Sequence, residues 1–115
     1  MNLQRTYSDD HFRVEFQSQR AFIDERPMML TRKEFELLAT LAGNAGEIVP
    51  RDLLLTQVWG YHPDVRTRTL DVHIRRLRKK LGGYGERYIE TIFGVGYRFQ
   101  PFRPAAPFYT QWNVA

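Results

Sequence analysis

The chain has no cysteine, and that one absence excludes two chemistries. Neither a disulfide framework nor a thiolate metal site can form. A cysteine-free composition suits a reducing compartment. Histidine is nearly as scarce. His11, His62 and His73 lie far apart, and none pairs with another histidine or a carboxylate at metal-ligand spacing, so no metal site is expected. No apolar run approaches the roughly 18 residues of a membrane span. The start, Met1-Asn2-Leu3-Gln4-Arg5, has no apolar signal region behind it. The expected location is therefore the cytoplasm, with no membrane partner. Catalytic patterns are missing too: no nucleophile beside a base and no paired acids. Gly94-Val95-Gly96 lacks the strand-to-helix context of a nucleotide fingerprint. Neither an enzyme nor a cofactor is expected.

What is present suits one domain with one modest core, over 115 residues. The net charge is only +4, but it is unevenly spread. Residues 66–80 hold seven of the 17 basic residues and a single acid, Asp71, giving that segment +6. The remaining residues hold ten bases and twelve acids. One concentrated cationic element on a near-neutral body is the electrostatic footprint of a polyanion binder. A merely solvated helix face would interleave acids among the bases.

Along the chain, Phe12-Arg13-Val14-Glu15-Phe16 alternates with the period of a half-buried strand. Segments 20–24 and 26–30 are shorter strand candidates around a polar Asp24-Glu25 turn, and a fourth lies within 3–8. Thr31-Arg32-Lys33-Glu34 is a capping box. Phe35, Leu38, Leu41 and Ala42 follow at helical spacing to Gly43-Asn44. Pro50 is read as opening a second helix, with Leu53, Leu54, Val58 and Trp59 apolar and Gly60 as its stop. A third helix spans 66–81 and ends at Gly82-Gly83. Segments 88–93 and 96–100 flank Gly94-Val95-Gly96 as a hairpin. Two short helices joined through a glycine-containing turn, followed by a basic helix, outline a helix-turn-helix.

The third helix carries the functional signal. At about 100° per residue, Leu70, Ile74, Leu77 and Leu81 form a narrow aliphatic stripe. Arg68, Thr69, Val72, Arg75, Arg76 and Lys79 fall opposite, with His73, Arg78 and Lys80 on the flanks. Reading a major groove needs arginines for guanine and small apolar groups for thymine methyls. Arg75 and Arg76 fit the first role and Val72 the second. Rim cations sit over phosphates and fix register. His73 is read as a phosphate donor or a packing group at the groove edge, and Asp71 as a partner of Arg75 four residues on.

Four motifs in order then resemble one family. They are Leu30-Thr31-Arg32-Lys33-Glu34-Phe35-Glu36-Leu37-Leu38, Val58-Trp59-Gly60, the run from Arg68 to Leu81, and Gly94-Val95-Gly96-Tyr97-Arg98-Phe99. They are similar to the DNA-binding effector domain of OmpR/PhoB-family two-component response regulators, over roughly residues 5–100. The resemblance implies an α+β winged helix-turn-helix. Its parts are an N-terminal four-stranded antiparallel sheet, three helices and a C-terminal β-hairpin wing. It implies double-stranded DNA as partner, helix 66–81 in the major groove and wing 88–100 near the minor groove. It implies head-to-tail dimers on direct repeats and an RNA polymerase contact through loop 60–66. The DNA contacts carried over by position are Trp59, Arg68, Thr69, Val72, His73, Arg75, Arg76 and Arg78, with Thr91 and Tyr97 from the wing. Lys79 is added as a rim cation, and Trp59 is equally readable as core.

This sequence departs from the family pattern in three ways. Many relatives carry an arginine two residues after the position of Thr91, where it can enter the minor groove, and here that residue is Phe93, which carries no charge to read that groove with. No phosphoacceptor receiver segment lies within these residues. The resemblance implies such a domain, with a sensor kinase, if the chain is part of a longer regulator. The winged-helix domain is assigned to 1–100, and 101–115 is an extension past the usual family end, rich in proline and aromatics. That tail is the feature most favourable to a competing reading, a winged helix used to dock protein.

Overall fold

The computed structural model describes residues 6–102. Strands β1 (Thr6–Ser8), β2 (Phe12–Glu15), β3 (Arg20–Ile23) and β4 (Arg26–Pro27) form an antiparallel sheet in sequence order. The alternation of β2 is physical: Phe12 and Val14 are buried, while Arg13 and Glu15 are half-exposed. Asp24 and Glu25 both take positive φ between the paired residues Ile23 and Arg26. That is the backbone of a two-residue hairpin turn whose twist matches its strands. β4 stops at Pro27, short of the expected residue 30, because proline donates nothing to a ladder.

Helix α1 (Arg32–Gly43) starts with both halves of the capping box in place. The Thr31 hydroxyl accepts from the Glu34 amide at 3.2 Å, and the Thr31 amide donates to the Glu34 carboxylate at 2.9 Å. Leu37, Leu38 and Leu41 are fully buried.

The stretch after α1 differs from the sequence expectation. Pro50 closes a short strand, β5 (Ile48–Pro50), and is also the extended N-cap of α2 (Arg51–Leu54), one residue ahead of the expected first helical turn. The chain then passes into a π-helical turn, Leu55–Trp59. Leu54, Leu55 and Val58 share the buried face, as helical spacing places them, whereas Leu53 lies opposite and faces solvent. Gly60 ends this segment in the left-handed region. The Lys33 ammonium donates to the Val58 carbonyl at 2.6 Å, satisfying one of the exposed carbonyls at that end.

Helix α3 (Thr69–Lys80) is shorter than the expected 66–81. Its start is marked by Thr67, whose hydroxyl accepts from the Thr69 amide. Leu81 is the C-cap, and Gly82 takes a φ of 65°. A turn over Gly82–Tyr84 follows where the glycines place one, and then a short helix α4 (Gly85–Tyr88) that the sequence pattern did not indicate. The hairpin of β6 (Ile89–Ile92) and β7 (Gly96–Phe99) is completed by β5 into a sheet of order β5-β7-β6. Leu54, Leu70, Ile74, Leu77, Tyr88 and Phe99 share one core with α1 and β2.

Two local constraints hold this arrangement. β5 and β7 approach so closely at Gly96 that a Cβ there would lie 2.1 Å from the Val49 carbonyl oxygen. The second is Asp9. Its carboxylate accepts from the hydroxyls of Tyr7 and Tyr88, each at 2.6 Å, and from the amides of His11, Phe12 and Phe102. One side chain thus ties the N-terminal sheet, α4 and the chain leaving β7. The Phe102 ring packs edge-on against His11 and lies under the Arg87 guanidinium. The remainder of the 101–115 extension lies outside the described residues.

Gly96→Ala is expected to lower stability by about 3 kcal/mol or more, since backbone must move to admit the methyl. Chemical denaturation measures this, and an unchanged midpoint contradicts the packing. Burial pushes the Asp9 carboxyl up, but the hydroxyl and amide donors outweigh it and hold its pKa below the ordinary 3.8. The stability it contributes is complete above that value and is lost as pH falls through the lowered folded pKa. Thermal melts should show Asp9→Asn less stable than the parent at neutral pH. The two melting temperatures should converge as the pH drops below 3.8.

Candidate nucleic-acid interface

The roll of α3 about its axis decides which side chains a ligand meets. Leu70, Ile74 and Leu77 are buried to within 1% of complete, as is the cap residue Leu81. Arg68, Val72, Arg75, Arg76 and Lys79 are exposed, and Thr69, His73 and Arg78 are half-buried along the flanks. Burying an aliphatic side chain is worth roughly 1.5–3 kcal/mol, so four of them fix the roll firmly.

Polar contacts reinforce it. Glu34, 2% exposed, accepts from the Lys80 ammonium at 2.6 Å and so joins the start of α1 to the end of α3. Burial pushes the Glu34 carboxyl up, yet Lys80 and the Thr31 amide hold its pKa below the usual range. Lys80 is thus committed to the fold, while its neighbour Lys79 faces outward. At the start of the helix, Asp71 departs from expectation. It pairs not with Arg75 but with the Arg51 guanidinium at 2.6 Å, and it accepts from the Tyr97 hydroxyl at 2.7 Å. Nothing local in the sequence announces Arg51, which comes from α2, 20 residues earlier. Arg75 is left unpaired. Among the described residues, no hydrogen bond or ion pair holds the side chains of Arg75, Arg76 or Lys79.

The wing is keyed to the same helix. The Arg78 guanidinium donates to the Ile89 carbonyl at 3.1 and 2.6 Å and to the Thr91 hydroxyl at 2.8 Å. Tyr97 is only 6% exposed, and burial together with the Asp71 bond pushes its phenol up to about 12. It remains a neutral donor across the physiological range. Of the residues named from sequence, Arg78, Thr91 and Tyr97 are therefore brought together as the joint between helix and wing. Trp59 is half-buried and meets the His73 ring edge-on at 4.8 Å. His73 Nδ1 lies 2.8 Å from the Thr69 carbonyl, which can only accept, so this nitrogen carries the proton.

The result is an exposed cationic ridge on α3 beside a hairpin. Among the described residues, no group of three or more metal-ligating side chains comes together, and no helix is long and apolar enough to cross a membrane. At the tip of the wing, Phe93 is 91% exposed, a feature that hairpin spacing alone does not reveal.

Comparison with known proteins agrees with this arrangement. Residues 25–99 match the family model described as "Transcriptional regulatory protein, C terminal". The transcriptional regulatory protein HprR of Escherichia coli K12 is 49% identical over 77 residues, covering 66% of this chain and 34% of that protein. VxrB of Vibrio cholerae is 42% identical over 87 residues, covering 76% of this chain and 34% of its own length. The chain spans about a third of the length of these relatives. Among solved structures, the RstA DNA-binding domain of Klebsiella pneumoniae, crystallised in complex with the RstA box, superposes with a TM-score of 0.77 at 32% identity. The match covers 86% of this chain and all 100% of that one. The response regulator DrrB of Thermotoga maritima, described as an OmpR/PhoB homologue, gives a TM-score of 0.76 at 35% identity, over 84% of this chain and 45% of that one. With the winged-helix architecture, the capped α1, the two-faced α3 and the hairpin all in place, the chain belongs to the family of transcriptional regulatory protein C-terminal domains.

Proposed function

We propose that this domain binds double-stranded DNA sequence-specifically to control transcription, as the effector part of a two-component response regulator. The observation that carries the proposal is the face of α3. Arg75, Arg76 and Lys79 stand exposed around the exposed Val72, with no partner among the described residues, while the stripe Leu70, Ile74, Leu77 and Leu81 is buried. Arginines able to grip guanine, with an apolar side chain for thymine methyls, are the chemistry of a major-groove helix. The RstA complex supports it, because a domain of the same fold was crystallised on its DNA box. The reading is regulatory rather than catalytic.

Within this reading Arg75, Arg76 and Val72 meet base edges. Arg68, Thr69, Lys79 and His73 contact the backbone at the rims, and Trp59 supports His73. Arg78, Thr91 and Tyr97 act mainly by holding the wing against α3. Two copies sit head to tail on direct repeats, about one helical turn apart. Loop 60–66 is the surface for RNA polymerase: His62, Pro63, Asp64, Val65 and Arg66 are all exposed. In a longer regulator, a receiver domain addressed by a sensor kinase brings the copies together. DNA as the target places the protein in the cytoplasm.

Selection from a random duplex library should enrich two similar half-sites in direct repeat. On that duplex, Arg76→Ala should cost about 1–3 kcal/mol and relax preference at one or two bases. Lys79→Ala should weaken all sequences alike and flatten the salt dependence by about one unit. Enrichment of nothing above background, or an Arg76→Ala protein with parental affinity and preference, overturns the assignment.

A further inference from the structure

We propose that Phe93 is a DNA-contacting residue, an apolar wedge that the wing sets into the minor groove beside the half-site read by α3. This rests on the DNA-binding reading above and extends it to a residue that carries no charge.

The hairpin tip is built to present this ring. Ile92 pairs with Gly96, so only Phe93, Gly94 and Val95 form the loop. The Val95 amide donates to the Ile92 carbonyl at 2.9 Å, and Gly94 has a φ of 78°. A positive φ at the third position of such a turn is the mark of type II, which leaves Phe93 leading at the second position. The backbone is braced from behind, where the Arg51 amide donates to the Val95 carbonyl at 3.0 Å. Phe93 is 91% and Val95 45% exposed. No charged residue lies anywhere from Thr91 to Tyr97, so the tip has no cation to pair with a phosphate.

Its position chooses the occupant. Arg78 and Tyr97 lock both wing strands to α3, so the tip travels with the recognition face. The grooves alternate along a duplex, and a rigid element beside a major-groove helix reaches the flanking minor groove. Apolar side chains, phenylalanine among them, enter minor grooves as wedges that partly unstack one base step. Pyrimidine–purine steps unstack most readily, so the ring converts local deformability into sequence preference. The wing thus selects a flexible step at the flank of each half-site without a hydrogen bond to any base.

The test uses the 115-residue chain and the duplex it enriches from a random library, with 2-aminopurine placed at the flanking step. Phe93 touches no core, so Phe93→Ala should keep the parental melting temperature. It should lose about tenfold in affinity, the scale of a lost aromatic–base contact. It should also lose the fluorescence rise that reports unstacking and the flanking pyrimidine–purine preference. Its salt dependence should not change, because an apolar contact releases no counterion. Phe93→Arg should steepen that dependence by about one unit. Parental affinity and fluorescence in Phe93→Ala, on a duplex where Arg76→Ala fails, overturn the wedge and leave the reading by α3 intact. A loss seen only when two copies bind together, with single half-sites unaffected, moves Phe93 to a protein contact and also overturns it. If the unaltered chain prefers no duplex at all, both proposals fall.

Discussion

The roll of α3 is the constraint on which the rest depends. A helix with cations on one side and leucines on the other has one acceptable orientation on a core, and Leu70, Ile74, Leu77 and Leu81 occupy it. Rotation by even one residue, about 100°, would expose leucine and bury arginine without a partner. The Glu34–Lys80 pair holds the end of the helix, and the Arg51–Asp71–Tyr97 cluster holds its start. Between these two clamps the exposed side chains carry no structural duty and are free for a ligand.

That division of labour separates neighbouring residues of the same type. Lys80 neutralises a buried carboxylate, whereas Lys79 points to solvent. Arg78 spends its donors on the wing, whereas Arg75 and Arg76 spend none among the described residues. Helix and hairpin therefore form one rigid head, joined by hydrogen bonds across the start of β6 and the middle of β7. A ligand that meets the helix meets the wing at a fixed offset. Asp9 and Gly96 serve the same end from further away, the first by tying the N-terminal sheet to α4, the second by letting β5 lie directly against β7.

The parts legible in sequence were those with local, periodic causes. The capping box at Thr31, the alternation of β2 and the aliphatic stripe of α3 each follow from residues a few positions apart. The illegible parts depend on partners distant along the chain. β5 has three residues and exists because β7 completes its hydrogen bonds, so the proline that caps the second helix also ends a strand. The π-helical turn over Leu55–Trp59 has no signature in a fixed helical period. Asp71 answered to Arg51 across the domain rather than to Arg75 on its own helix. At the site, the exposed face was readable from spacing. The inward commitment of Tyr97 and Arg78 was not, because side-chain chemistry alone does not say which cation a fold will keep for itself.

Guanine N7 opens only into the major groove, which makes its methylation the most direct measurement of the central claim. Duplexes lightly methylated with dimethyl sulfate would be partitioned into bound and free pools on the domain, and the modified positions mapped. The account predicts that methylated guanines within each half-site are excluded from the bound pool, because Arg75 and Arg76 lose their acceptors there. Free entry of those duplexes into the bound pool would contradict the placement of α3.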